Sequence, residues 1–284
     1  MPDLIVGSRG FIGSSLVSQL NNGNLVLVED KASLLRLATK GEVQVFDCVY
    51  WLAGSAKPAT SIDCPLEKHP DYVSLCMFLM SSSVRFERFL FLSSGGCVYG
   101  SGNSPFNEKS PTHPINQYGE LKLLCERVVT QTHAEKSLIF RASNIHGINQ
   151  QAKKFQGVIP YWMRDALSGN PLTIYGDLSD YRDYLSVHDL VKALLEVPNY
   201  NSTGVFNIGS GEKFTISQML ETFSKVLRSE IRFELRPRRS GEASGYVLNV
   251  SKANKLLNWG PSKTSKDSIR ETVALLYQNL NPKK

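Results

Sequence analysis

Two clusters in this chain carry residue types and spacings that could do chemistry. In Tyr118-Gly119-Glu120-Leu121-Lys122 a phenol and an ammonium stand four residues apart, on one face of a helix. A free tyrosine ionises near pH ~10, and a cation beside it stabilises the phenolate, so the pair could work as an acid/base near neutrality. The other cluster is Gly7-Ser8-Arg9-Gly10-Phe11-Ile12-Gly13, between the apolar run Leu4 to Val6 and a segment with helical spacing (Leu16, Val17, Leu20) that Gly23 closes. Its glycines allow a tight turn and close approach of backbone to a pyrophosphate, and the helix N-terminus adds N–H donors. Asp30 follows the apolar run Leu25 to Val28, where a carboxylate can accept both hydroxyls of an adenosine ribose and repel a 2′-phosphate. Arg9, Lys31 and Arg36 pull toward a 2′-phosphate, so NAD is favoured and NADP stays open.

The elements that must position these groups alternate. Strands are expected at Leu4 to Val6, Leu25 to Val28, Val45 to Ala53, Phe89 to Leu92 and Leu138 to Phe140, with helices at Ser14 to Leu20, Ala32 to Thr39, Tyr72 to Ser83 and Tyr118 to His133. The strands are continuously apolar rather than alternating, which fits a parallel sheet covered on both faces. The fold class is therefore α/β, a doubly wound parallel (Rossmann) sheet. Beyond about residue 145 prolines and glycines loosen the rhythm. Helices are expected at Ile159 to Ser168, Val187 to Glu196, Ile216 to Leu227 and Ile269 to Gln278. Residues 1–145, with about 178–209, read as the dinucleotide-binding domain; 146–177 and 210–284 read as a smaller, partly interleaved C-terminal substrate lobe. The tail from Asn281 to Lys284 is expected to fray.

Composition narrows the classes. With 284 residues, 42% hydrophobic and 20% charged, the chain is neither disordered nor a disulfide mini-protein. No apolar run reaches the ~18 residues of a membrane span. Met1 to Val6 reads as a first strand rather than a signal peptide. Five cysteines (Cys48, Cys64, Cys76, Cys97, Cys125) without C-x-x-C spacing argue against disulfides and zinc and for a reducing cytoplasm. The net charge of +6 suits an anionic small molecule. The basic group Arg236, Arg238, Arg239 lacks interleaved aromatics, so nucleic acid is not expected as a partner. His146 and His188 have no ligand spacing around them and read as structural, and Tyr99 as packing.

Taken in order, the motifs resemble an extended short-chain dehydrogenase/reductase of the nucleotide-sugar epimerase/dehydratase family. They are GSRGFIG at Gly7, WLAG at Trp51, LSSGGCVYG at Leu92, YGELK at Tyr118, RASNIHG at Arg141, GVIP at Gly157, GDLSDYRDYLSVHDL at Gly176, FNIGSGEKFTI at Phe206 and LNVSKANKLLNW at Leu248. The resemblance implies that Gly7, Arg9, Gly10, Phe11, Ile12, Gly13, Asp30, Leu52 and Ala53 hold the cofactor, with Tyr118 as acid/base and Lys122 as its helper and nicotinamide-ribose anchor. It implies that Asn144 meets the phosphates of a nucleotide-diphosphate sugar and that Arg182 and Arg239 clamp its diphosphate, which two guanidinium forks do better than lysines. Tyr246 falls where 4-epimerases of the family contact the sugar near C2.

The departures are informative. Gly95 stands where the family carries Ser or Thr, so Ser94, or less plausibly Cys97, must supply that hydroxyl's hydrogen bond. Dehydratases carry Asp-Glu where this chain has Gly96-Cys97, so water elimination is not expected. The short stretch from Lys31 to Phe46 leaves little room for the usual third strand. Pro70 and Asp71 occupy the place of an Asn common near the start of their helix. The resulting expectation is NAD(P)-dependent hydride transfer at C4 of a nucleotide-diphosphate hexose, with 4-epimerase favoured. A 4-keto-6-deoxy-sugar reductase and a catalytically silent dinucleotide binder are the alternatives. A homodimer built on the helices Tyr72 to Ser83 and Tyr118 to His133 is expected by analogy.

Overall fold

A computed structural model describes residues 1–20, 24–39, 42–58, 60–102, 104–151 and 157–281, except the side chains of Lys31 and Ala38. The expectations for Gly23, the Lys31 cation and residues 282–284 lie outside the described residues. Six strands form one sheet: β1 (Asp3–Val6), β2 (Leu25–Val28), β3 (Gln44–Trp51), β4 (Val84–Ser94), β5 (Ser137–Ala142) and the strand Gly204–Ile208. Their order is β2, β1, β3, β4, β5, Gly204–Ile208, and every neighbouring pair is parallel. Successive side chains of β1 enter opposite cores, Ile5 one and Leu4 and Val6 the other. That two-sided burial is why the strands read as continuous apolar runs. The register sets Val28, Val6, Trp51 and Phe91 side by side, so the loops after these strands open along one edge. Chain order reverses at β1, with β2 on one side and β3 on the other. A crevice therefore forms beyond the carboxyl ends of β1 and β3.

Among the described residues the stretch between β2 and β3 holds one helix, Lys31–Ala38, and no third strand. β4 runs from Val84, five residues earlier than its continuous apolar stretch. Its first half alternates buried Val84 and Phe86 with exposed Arg85 and Glu87, a one-sided pattern. The helix Pro70–Leu79 starts earlier than expected because His69 caps it, its Nδ1 accepting from Asp71 N at 3.2 Å, with proline in the first turn. Thr215 and Gln218 form a reciprocal capping box at the helix Ile216–Leu227.

A further core gathers Trp162, Met163, Met219, Phe223, Ile269 and Val273 from the helices Val158–Leu167, Ile216–Leu227 and Ser265–Leu280. Between the last two of these helices the chain returns to the sheet. Ala253, Leu257 and Trp259 join the core beneath it, and Trp259 Nε1 donates to Asp189 O at 3.1 Å. The helix Ser251–Leu257 carrying two of them had no clear periodic signal in seven residues. Two side chains read as structural are so placed: His146 is buried with Nδ1 3.1 Å from Thr272 Oγ1, and Tyr99 stacks on Phe106 and donates to Asn207 Oδ1 at 2.7 Å. Among the described residues no helix is long and apolar enough to cross a membrane.

Candidate active site

The glycine loop sits at the crevice. Gly7 has φ +93° and donates to Val28 O at 2.8 Å, and Gly10 N donates to Gly7 O at 3.0 Å. A side chain at Gly13 would put its Cβ 2.1 Å from Gly7 O, and one at Gly7 would lie 2.8 Å from Ala53 N. The loop is therefore as tight as backbone allows, and it presses on the end of β3, where Leu52 N donates to Val6 O at 2.9 Å. Gly10 caps the helix Phe11–Val17 without a side chain over the N-terminal N–H groups. Ile12 packs on the core beneath, and Phe11 leans on Gly147. These residues fit a dinucleotide pyrophosphate: a tight glycine turn at the switch point, leading into a helix N-terminus with no side-chain cap.

After β2 two neighbouring acids divide their work. Asp30 accepts from Ser33 N at 2.7 Å and so caps the helix Lys31–Ala38, a bond that holds its carboxyl below the usual range. Glu29, the first residue after β2, forms an ion pair with Arg9 of the glycine loop. The sequence reading passed over Glu29. Its signal was position, directly behind the last apolar residue of the strand, next to the carbonyl that Gly7 engages.

The Tyr118–Lys122 pair opens the helix Gln117–His133, which Asn116 caps through Gly119 N at 2.9 Å. Lys122 Nζ lies 5.8 Å from the Tyr118 ring centroid and donates to Leu92 O at 2.9 Å. One expectation is reversed here. Burial pushes the Tyr118 phenol above its ordinary value, and a hydrogen bond with Ser94 offsets only part of that rise. Burial also lowers Lys122. The cation's proximity alone does not produce a lowered phenol.

Ser94 is the hydroxyl that meets Tyr118, and it also hydrogen-bonds the Cys97 thiol. A side chain at Gly95 would meet Leu248 Cδ1 at 2.7 Å, so the hydroxyl cannot stand at residue 95 without displacing that leucine. Gly96 is closed in the same way: a Cβ there would lie 2.5 Å from Tyr246 Cζ and Oη. Tyr246 is 3% exposed, and the charge of Arg182 reaches both it and Cys97. Cys97 thus lies near both Tyr118 and Tyr246.

Arg182 Nη1 donates to Tyr181 O at 2.8 Å and to Ser244 O at 3.1 Å, so it is fastened to the segment that also carries Arg239 and Tyr246. Arg239 lies over the Tyr175 ring at 3.6 Å and pairs with Glu242. Neighbouring Arg238 is committed elsewhere, in a bidentate pair with buried Asp180 at 2.6 and 2.8 Å. Asn144 N donates to Asp183 O at 3.0 Å. Asp183 was missed by the sequence reading. Fully buried, it accepts from Ser210 N and Oγ at 2.7 Å and from Gly211 N and Leu248 N at 3.1 Å. It thereby ties together its own strand, the 210–211 turn and the segment at Leu248. Behind Ser94 lies another buried pair, Arg141 with Glu126 at 2.7 Å, to which Ser93 Oγ also donates at 2.5 Å.

Residues 4–209 match the family model described as the NAD dependent epimerase/dehydratase family. The chain belongs to that family. Among its relatives, dTDP-4-dehydro-6-deoxyglucose reductase of Escherichia coli is 31% identical over 206 residues, 71% of this chain and 65% of that protein. UDP-glucose 4-epimerase of Lactobacillus helveticus is 28% identical over 316 aligned positions covering 96% of each chain. Among solved structures, UDP-glucose 4-epimerase of Thermotoga maritima with UDP-glucose superposes with a TM-score of 0.85 at 26% identity, covering 99% of this chain and 100% of that one.

Proposed function

We propose that this member of the NAD dependent epimerase/dehydratase family is a nucleotide-sugar 4-epimerase acting with NAD on a nucleotide-diphosphate hexose. The observation that carries the reading is a run of neighbours: Gly7 stands against Ala53, Gly54 stands beside Lys122, Ser94 stands beside Tyr118, and Cys97 faces both Tyr118 and Tyr246, which the charge of Arg182 also reaches. Gly7, Gly10, Phe11, Ile12 and Gly13 would hold the cofactor pyrophosphate, with Leu52 and Ala53 along its edge and Glu29 or Asp30 toward the adenosine ribose. The nicotinamide supplies hydride acceptance and return at C4. Tyr118 would take the O4 proton and give it back, with Ser94 holding the oxygen and Lys122 placing positive charge beside the phenol. Arg182 and Arg239 would neutralise the diphosphate, with Asn144 near the phosphates.

Support for excluding a dehydratase is steric and chemical. Tyr246 fills the volume a carboxylate at residue 96 would need, and burial keeps the Cys97 thiol protonated. One observation favours the reductase reading, the Arg9 guanidinium at the crevice, which could meet the 2′-phosphate of NADPH. The Ser94–Tyr118 hydrogen bond speaks against a silent binder. Val73, Met77 and Met80 are 38%, 47% and 76% exposed at or just beyond the helix Pro70–Leu79, which supports a homodimer through that helix and Gln117–His133. Five free thiols support a reducing, cytoplasmic setting.

The deciding experiment incubates the protein with UDP- and dTDP-hexoses and their 4-keto-6-deoxy forms and follows sugar and nicotinamide together. A C4 epimer formed with no net consumption of cofactor supports the epimerase. Stoichiometric oxidation of NAD(P)H supports the reductase, and cofactor binding without either supports the silent protein.

A further inference from the structure

Asp71 belongs to neither the glycine loop nor the Tyr118–Lys122 helix, yet it holds the segment after β3 on which Gly7 presses and lies near Lys122. It sits in the first turn of the helix Pro70–Leu79. Its Oδ2 accepts from Ser55 N at 2.7 Å and Ala56 N at 3.1 Å, and its Oδ1 from Ser55 Oγ at 2.8 Å. These bonds hold the loop that continues β3 past Leu52 and Ala53. On its other side lies the catalytic lysine. A Cβ built on Gly54 would be 3.7 Å from Asp71 Oδ2 and 3.8 Å from Lys122 Nζ, so carboxylate and ammonium flank one glycine. Both line a small pocket with Tyr118, Trp51, Phe91 and Cys125.

We propose that Asp71 is a positioning residue for the Tyr118–Lys122 pair, locking the 53–56 loop against the catalytic helix and supplying the counter-charge that keeps the buried Lys122 amine an ammonium. The inference rests on the Tyr118–Lys122 reading above.

The other charges facing Lys122 leave Asp71 as the effective one. Lys122 packs between the Phe91 ring, 4.9 Å from Nζ, and the Leu92 carbonyl, neither of which titrates. On its own helix are Tyr118, Cys125 and Glu126, and from the turn after β4 comes Cys97. Burial pushes Cys125 up to about 12 and raises Cys97, so both are neutral thiols at pH 7. Tyr118 is likewise raised by burial and neutral. Glu126 is neutralised by Arg141, which contacts both of its carboxylate oxygens. Burial works to raise Asp71, but the bonds from Ala56 and Ser55 outweigh it and hold the carboxyl below its ordinary value. Asp71 is thus an ionised group whose hydrogen bonds come from uncharged donors, and the titratable group facing it is His69, whose Nδ1 lies 3.8 Å from Oδ2 and accepts from the Asp71 backbone N–H.

A neutral side chain at residue 71 would withdraw that support. Burial would then draw the proton from Lys122 at lower pH, and the cation beside Tyr118 would be lost sooner on the alkaline side. The test titrates the Lys122 15Nζ resonance in cofactor-free protein, assigned by its loss in Lys122→Met, in wild type, Asp71→Asn and Ser55→Ala. Asp71→Asn should lower the midpoint by about one pH unit, as expected for losing one opposite charge at this range. Ser55→Ala breaks one bond to Asp71 but keeps its charge and should leave the midpoint in place. The alkaline limb of the kcat profile should move down with Asp71→Asn by a similar interval. An unchanged midpoint in Asp71→Asn, or equal shifts in both variants, overturns the proposal. Should Asp71→Asn not fold, Asp71→Glu takes its place, and its midpoint must stay with wild type. Inactivity of wild type on every sugar defeats the epimerase reading without touching this titration.

Discussion

Gly96 and Tyr246 provide a direct check on the shape of the site. Adding one methyl group at residue 96 places it 2.5 Å from Tyr246 Cζ and Oη and 2.7 Å from Cε1, about 1 Å inside ordinary contact. Because Tyr246 is almost fully buried among Val98, Leu123 and Leu248, the ring has little room to retreat. Gly96→Ala should therefore cost about 1–3 kcal/mol, the usual penalty for overpacking a filled core. Tyr246→Ala should cost about 3–5 kcal/mol through its cavity. In the double variant the clash disappears, so the combined loss should fall short of the sum by about 1–3 kcal/mol. Urea unfolding of the four proteins measures that coupling. Tyr246→Phe does not rescue Gly96→Ala, since two of the three crowded atoms are ring carbons. Additive losses would show that Tyr246 does not fill the space beside residue 96, and the steric argument against a carboxylate there would fail with it.

Further outcomes follow from other contacts. Burial lowers His146 to about 4 from an ordinary 6.5, so its folded form is neutral. The resulting stability is complete above about pH 6.5 and drains away as pH falls toward 4. Unfolding free energy should drop by about 2 kcal/mol between about pH 7.5 and about pH 5 through this residue, a drop that His146→Gln removes. Replacing Arg141 by Met leaves Glu126 charged in the interior and should cost about 3–5 kcal/mol in urea unfolding; the double change with Glu126→Gln should recover part of it. Arg239→Lys should raise KM for the nucleotide sugar with little change in circular dichroism, because an ammonium cannot copy the guanidinium fork that lies over Tyr175. Glu29→Gln should shift the ratio of NADP to NAD affinity toward NADP, read by calorimetry, since it frees Arg9 from its carboxylate.

Much of the architecture was legible because burial leaves a mark on composition. Two-sided strands such as β1 and β5 read as unbroken apolar runs, and the glycines at 7 and 13 stand where side chains are sterically excluded. Half-buried stretches were harder. The Val84 end of β4 is exposed on one face and broke the apolar run, and Ser251–Leu257 is too short to show a period. At the site, identity was easier to read than state. The spacing placed Tyr118 and Lys122 on one face, but burial of the phenol follows from packing that spacing does not encode. Asp30 was picked from its strand-end position, while the next helix takes its carboxylate as a cap. Asp183 and Glu126 were overlooked, and Asp71 was noted only as standing in place of an Asn, because each acts through contacts 15 to 65 residues away in sequence.

The central claim is that the hydroxyl of Tyr118 moves the proton at the sugar's C4 oxygen while the glycine crevice holds the cofactor. Single-turnover kinetics of wild type and Tyr118→Phe with NAD and the best UDP- or dTDP-hexose tests it most directly, with cofactor affinity measured alongside. The account predicts unchanged NAD binding and a fall in sugar oxidation of roughly 10²–10⁴-fold. A Tyr118→Phe variant that turns over at the wild-type rate would contradict it.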